Sequence, residues 1–542
     1  MARTRPGITS RRLALVAAGV AFAGSGGPGG AVATAASLDL WTAPAALKVF
    51  RDDTPAAESH PAVAIEAAAG ERESAQVVLR AADAGWVLRD ATLSDFRDAD
   101  DTPCPELRGD LFEVRYVYLP EHDRAWPDPL PPFRGPLPLL PGLTQPLWLS
   151  VTVPRGTRAG RYRATLRLAF DSQPDRDVPV SLRVHGFELP PQPALRTAIG
   201  NPMEFVLQQH DVQPGTADAA ALAKAYYEFL LDRRLSPYNL PCDLESPEAA
   251  RWLDDPRLTS FVIPWNDDEA VLRRTIAYLA AHDWLRKGFF YVWDEPQTEE
   301  DFERLAHRAR RIRGIDPAAA VMVPFNGNPA QASGRSTYER LDGLVDQWCP
   351  LSTAIDVPEQ AARAARGAGS WWYVCCVPRR PRTNLMVDWP AVAHRVLPWQ
   401  QKQRGVDGFL YWSATSWDRQ FTRDPWTNIR TYAFKGDCYG DGSLLYPGDR
   451  AGIAGPVGSI RLEVFCDGMD DFDYLTLYER RRGRDAMLDL TRRATTSLAS
   501  YPSDPLVLDV LRREMAEFLE QDATAPPISG QGTPEPRRHS PE

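Results

Sequence analysis

From Ser37 to about Leu189, apolar and polar residues alternate in short segments separated by turn residues, as they do in strands with one buried face. Ser74–Arg80, Leu111–Tyr118, Leu147–Val153, Gly160–Leu168 and Val178–Val184 all keep a period of two. Seven or more such strands in about 150 residues predict a β-sandwich over residues 37–189. Within it, Trp126-Pro-Asp-Pro-Leu-Pro-Pro-Phe133 predicts a rigid loop able to reach a neighbouring cleft.

Leu189-Pro-Pro-Gln-Pro193 reads as a linker, and beyond it the period changes. Short apolar runs at Leu195–Ile199, Tyr238–Pro241, Ser260–Pro264, Phe289–Trp293, Val321–Phe325, Leu344–Trp348, Trp371–Cys375 and Gly408–Trp412 read as strands. Stretches with apolar residues three and four apart lie between most of them, as at Ala219–Asp232, Glu269–His282, Glu299–Arg313 and Pro358–Ala368. Eight βα units predict a (β/α)₈ barrel over residues 190–522, extended by C-terminal helices. The acidic group Asp467, Asp470, Asp471 and Asp473 lacks the spacing of an EF-hand and reads as a helix N-terminus. The Pro/Gly/Ser-rich end, residues 523–542, reads as a disordered tail.

The fourth predicted strand ends in Asp294-Glu295-Pro296, where proline stops the ladder. Barrel enzymes mount catalytic side chains at this strand edge, and two carboxyl groups are the minimum equipment for acid/base cleavage of a glycosidic bond. The alternative is structural: either acid could cap the helix that begins near Thr298.

Composition narrows the partner. A net charge of −10, with no basic run beyond the first dozen residues, argues against nucleic acid and favours a neutral ligand. Sixteen Trp, 17 Tyr and 20 Phe suit a carbohydrate cleft, although ordinary cores use them too. Arg3, Arg5, Arg11 and Arg12, then apolar Leu13–Ala23, then small residues up to Ala36 read as an export signal over residues 1–36, with Arg11-Arg12 resembling a twin-arginine type. The mature chain is therefore expected outside the cytoplasm, with no membrane span. Seven scattered cysteines fit neither a disulfide framework nor a zinc site, and leave room for one or two disulfides. No cofactor fingerprint or metal-ligand set stands out, and Gly440-Asp-Gly442 reads as a turn.

Several motifs in order resemble glycoside hydrolase family 123, retaining β-N-acetylgalactosaminidases and their relatives. They are Gly70-Glu-Arg-Glu-Ser-Ala-Gln-Val-Val78, Tyr291-Val-Trp-Asp-Glu-Pro296, Trp371-Trp-Tyr-Val-Cys375, Gly408-Phe-Leu-Tyr-Trp412, Gly440-Asp-Gly-Ser-Leu-Leu-Tyr-Pro-Gly448, Ser459-Ile-Arg-Leu-Glu463 and Asp467-Gly-Met-Asp-Asp-Phe-Asp-Tyr-Leu475. The resemblance implies a β-sandwich, a catalytic barrel and substrate-assisted hydrolysis, with Glu295 as acid/base and Asp294 orienting the substrate's acetamide. Adjacent acids suit that route, because nucleophilic catalysis by the enzyme places its two carboxyl groups on opposite sides of the bond. Around them, Tyr373 is a candidate donor to the acetamide oxygen, and Trp348, Trp412 or Trp417 a candidate platform for the sugar face. Asn201, Glu204, Asn326 and Asp418 are candidates for binding hydroxyl groups. Each aromatic reads as well as core, and each polar residue as a loop cap. Two other readings remain: a glycosidase for sugars without a 2-acetamido group, and a secreted carbohydrate-binding protein without turnover.

Overall fold

The structure is a computed structural model that describes residues 37–523 apart from 57–60, 83–84, 328–335, 420–421, 423 and 431–437. The expected export signal and C-terminal tail lie outside the described residues.

The period-two segments form two packed sheets. One has the order Leu38–Pro44, Glu71–Ala81, Thr144–Val153, Arg108–Glu113; the other runs Val63–Ala69, Arg176–Glu188, Gly160–Phe170, Val87–Leu93, Leu137–Pro138. Val77, Leu79, Leu147 and Leu149 from the first meet Leu166, Leu168, Val178 and Val180 from the second in one core, as two sheets with alternating inner faces require. The strand Thr144–Val153 is buried almost throughout. Its second face is covered as well, with Trp148 packing against Ala391, Ile460 and Val464 of the following domain.

Beyond the sandwich, seven parallel strands form one sheet: β1 (Arg196–Ile199), β2 (Phe261–Val262), β3 (Gly288–Tyr291), β4 (Ala320–Phe325), β5 (Gln347–Pro350), β6 (Gly369–Val374) and β7 (Gly408–Tyr411). The order is β1-β7-β6-β5-β4-β3-β2. Eight strands were expected, and the segment at Tyr238–Pro241 is the one that forms none. Its neighbour Pro237 makes a single parallel bridge to Ile199. Even so, the Tyr238 N–H donates to the Ile199 carbonyl and its own carbonyl accepts from Val262 N–H, both at 2.8 Å, so an irregular stave links β1 to β2. A proline cannot donate to a ladder, which accounts for the short pairing here.

Alternation sorts the strand residues into two layers. Ala198, Phe289, Met322, Cys349, Trp371, Tyr373 and Leu410 share the interior cluster. Phe290, Val323, Phe325 and Trp348 instead join the layer beneath the helices. Among the described residues no helix is long and apolar enough to cross a membrane.

The acidic group has a different role from the one expected. The helix Ile460–Arg482 starts at Ser459, whose side chain accepts from Leu462 N–H, so Asp467, Asp470, Asp471 and Asp473 lie in its middle and are buried. Arg234 pairs with Asp470 at 3.1 Å and also holds Asp473, while Arg395 and Arg512 hold Asp471 at 2.7 and 3.1 Å. Arg512 also pairs with Glu71 of the sandwich, to which the Tyr474 hydroxyl donates at 2.9 Å. The acids are thus the middle of an ionic seam between domains. The segment after Trp126, expected as a loop reaching over a cleft, is instead tied into the seam between domains: Pro129–Leu130 pairs with Gly458 and Ser459, and buried Asp128 accepts from Arg461 Nη2 at 2.9 Å.

Candidate active site

Strand β3 ends at Tyr291, two residues earlier than its apolar run suggests, and the chain then turns outward through Asp294 and Glu295. Glu295 takes a left-handed backbone conformation, φ 44°, which is unusual for a side chain of this kind and is found where a structure holds a functional group in place. Its N–H donates to the Pro324 carbonyl of β4 at 3.2 Å. Neither acid caps the next helix. Thr298 does that, its hydroxyl accepting from Asp301 N–H at 3.2 Å while the Asp301 carboxylate accepts from the N–H groups of Gln297 and Thr298. With that task filled by other residues, the structural alternative for the pair is removed.

The two acids have different surroundings. Asp294 is exposed, and its Oδ1 accepts from the Tyr291 hydroxyl at 2.7 Å. Half-buried Glu295 accepts from the Tyr373 hydroxyl at one oxygen and from Asn326 Nδ2 at the other, 2.6 Å away. Gln297 Nε2 in turn donates to Asn326 Oδ1 at 3.0 Å, which fixes the amide so that its NH₂ faces the carboxyl group. Burial raises the pKa of Glu295 above the usual glutamate range; the bonds from Tyr373 and Asn326 oppose this, and the negative charge of Asp294 reinforces it. Burial, then the bond to Glu295, push the Tyr373 hydroxyl far above an ordinary tyrosine, so it remains a donor.

The structure joins Tyr373 and Asn326 directly to the pair. Tyr373, at 4 % exposure, points from β6 into the interior cluster of the parallel sheet and is engaged with Glu295. Trp348 and Trp417 are corrected to core. Trp348 takes the outward phase of β5, 2 % exposed, stacked on Tyr338 with ring centres 5.4 Å apart. Trp417 is fully buried, with its Nε1–H donating to Ser443 Oγ at 2.8 Å. Trp412, directly after β7, is half-buried and remains a candidate platform; its Nε1–H donates to Asp441 Oδ1 at 3.1 Å. Asn201 Oδ1 accepts from Thr415 Oγ1 at 3.2 Å, a link between the loops after β1 and β7. Glu204 stands exposed in the first turn of Met203–Gln209, and Asp418 is half-buried with its carbonyl accepting from Thr422 N–H.

Three participants were not singled out from sequence. Tyr291 lay inside the motif and faces the interior by strand phase, a signal that could have found it. Gln297 gave no such signal. Asp441 sat in what read as a glycine turn, yet it is 3 % exposed and accepts from Trp412 and from the Tyr411 hydroxyl. Burial raises its carboxyl to about 7, against the lowering bond from Trp412.

A cavity of about 660 Å³ lies elsewhere, at the seam between domains, lined by Glu71, Arg72, Arg233, Arg234, Glu463 and Asp470. Arg233 pairs with Glu463 at 2.6 Å and Arg234 with Asp470, so these lining charges already neutralise one another. The candidate acids Asp294 and Glu295 stand apart from that cavity, at the rim of the parallel sheet.

A parallel α/β sheet with two carboxyl groups beyond the C-terminal end of one strand, one of them half-buried with its pKa raised, suits acid/base cleavage of a glycosidic bond. Residues 262–478 match the family model described as glycoside hydrolase 123, catalytic domain, so this part of the chain is similar to that family of hydrolases. A family 123 glycoside hydrolase from Clostridium perfringens, described for glycolipid glycan hydrolysis, has the same fold, with a TM-score of 0.66 over 90 % of this chain and 98 % of that one at 13 % identity. An uncultured Clostridium β-glucuronidase is far less similar, with a TM-score of 0.29 and 9 % identity over 73 % of this chain and 66 % of that one. A Bacteroides uniformis β-glucuronidase has a TM-score of 0.26 and 12 % identity over 70 % and 47 %. None of the curated proteins matches the chain.

Proposed function

We propose that this glycoside hydrolase removes a β-linked 2-acetamido sugar, with N-acetylgalactosamine the favoured residue, by substrate-assisted catalysis with retention. The observation that carries the reading is the adjacency of Asp294 and Glu295 on one side of the barrel mouth, each with its own partners. Two neighbours on one chain segment are poorly placed to flank a scissile bond as acid and nucleophile. They are well placed to act on one edge of a sugar whose own acetamide oxygen attacks the anomeric carbon. In that scheme Glu295, its pKa raised by burial, gives its proton to the leaving oxygen and later takes one from water. Asp294, exposed and steadied by Tyr291, accepts the acetamide N–H and balances the positive charge that grows on the cyclising group. Tyr373 and Asn326 hold the acid in place, and half-buried Trp412 offers an apolar face to the ring. A glycolipid glycan is the proposed class of natural substrate, by analogy with the Clostridium perfringens enzyme.

Aryl glycosides with and without the acetamide test this reading, and a thiazoline mimic of the cyclic intermediate should inhibit. Rescue of Asp294→Ala by azide with formation of a glycosyl azide would make Asp294 a nucleophile and overturn it. The same proposal places the mature protein outside the cytoplasm, on the strength of the basic and apolar N-terminal sequence. Fractionation followed by N-terminal sequencing checks this: mature chain beginning near Ser37 outside the cytoplasm is expected, and protein found only in the cytoplasm with Met1 intact contradicts it.

A further inference from the structure

Beside the acid pair lies a group of three thiols that the proposed reaction does not use. Cys375 and Cys376 follow β6 directly, and Cys438 meets them from 62 residues further along, its Sγ 3.8 Å from the Cys376 carbonyl oxygen. Cys375 and Cys438 both lie close enough to the Cys376 thiol to act on its ionisation. The charge of Arg379 acts on both Cys376 and Cys438, and Cys376 is close enough to Glu295 for its charge to act on that carboxyl. Cys376 is only half-buried, so a small reagent can reach it.

We propose that Cys376 and Cys438 form a disulfide-forming pair, a modification site at which a disulfide oxidant ties Cys438 to the barrel rim next to the acids. Cys438 is the fitting partner. Adjacent cysteines close an eight-membered ring only by distorting the peptide between them, and Cys375 packs against the interior cluster that contains Tyr373 and Leu351. The order of attack follows from the surroundings. The neighbouring Cys375 and Cys438 thiols favour the ionised form of Cys376, and Arg379 adds to this, so its thiolate is the first nucleophile. It attacks one sulfur of a low-molecular-weight disulfide, forming a mixed disulfide and expelling one thiolate. Cys438 then attacks the Cys376 sulfur and expels the second, so one dithiol and one disulfide become one cystine and two thiols, with the two protein protons carried away on the leaving groups.

The test uses the full chain and needs no glycosidase activity, so its outcome is independent of the proposed substrate. Wild-type protein is treated with oxidised glutathione, denatured, alkylated and digested without reduction, and the peptides are weighed. One linked pair containing Cys376 and Cys438, two hydrogens lighter than its parts, is expected, with Cys104, Cys242 and Cys349 alkylated. Alkylation of both Cys376 and Cys438, or a link between Cys375 and Cys376, overturns the proposal. Cys438→Ser treated in the same way should accumulate glutathione on Cys376, because the resolving thiol is gone; alkylated Cys376 in that variant equally overturns it. Should the variant fail to fold, the wild-type map decides alone.

Discussion

At the scale of single residues, the proposed function depends on the different surroundings of two neighbouring carboxyl groups. Glu295 is pushed up chiefly by burial, so activity that needs its proton persists above the pH of an ordinary glutamate and is lost as pH rises through its raised pKa. The Asn326 bond stabilises the ionised form; Asn326→Ala should therefore move the alkaline limb of kcat/KM to higher pH. Asp294→Asn removes a charge that resists ionisation, and should move the same limb lower. Glu295→Gln should cost about 10²–10⁴-fold on substrates with poor leaving groups and much less on activated aryl glycosides. If pH profiles of the two variants shift in the opposite senses, the assignment of Glu295 as the acid fails. The acids were legible because a strand-ending Asp-Glu-Pro is a local pattern. Which tryptophan faces the cleft was less so, since one step of strand phase separates Trp348 in the outer layer from Cys349 in the interior.

At the scale of elements, Ser459–Glu463 proves to be part of a joint between the domains. Asp128 of the sandwich loop and Arg461 of the helix Ile460–Arg482 are fully buried, and Arg461 also donates to the carbonyls of Leu385 and Gly440 at 3.0 and 2.8 Å. Asp128→Ala would leave that guanidinium buried without its counter-ion, and a loss of about 3–5 kcal/mol is expected in denaturant unfolding. A loss below about 1 kcal/mol would show that the joint is dispensable. Asp441 makes a pH-dependent contribution. Its folded pKa, about 7, lies above the unfolded value, so the native state binds the extra proton and stability falls as pH rises between about 4 and 7. Asp441→Asn should abolish that part of the slope; thermal unfolding at several pH values measures it, and an unchanged slope would contradict the account. The sequence could not reveal these joints, because Asp128 and Arg461 meet across 333 residues.

For the whole molecule, alternation predicted the sandwich and the parallel sheet, but not how firmly they join. The acidic run at Asp467–Asp473 looked like a helix start because carboxylates suit that position, whereas their arginine partners come from distant parts of the chain. The eighth strand was misread because Tyr238–Pro241 has strand composition while Pro237 limits pairing to one bridge. Trp148 fills the joint between domains, and Trp148→Ala is expected to cost about 3–5 kcal/mol and to lower a single, shared unfolding transition. Two separate transitions in wild-type calorimetry would mean that the domains are independent. The central claim, that the substrate's own acetamide is the nucleophile beside Asp294 and Glu295, is tested most directly by wild-type kcat/KM on a matched pair of aryl β-galactosides that differ only at C2. The account predicts rapid cleavage of the 2-acetamido compound and at least about a hundredfold slower cleavage of its 2-hydroxy counterpart, a deficit of about 2.7 kcal/mol in transition-state stabilisation; equal rates on the two would contradict it.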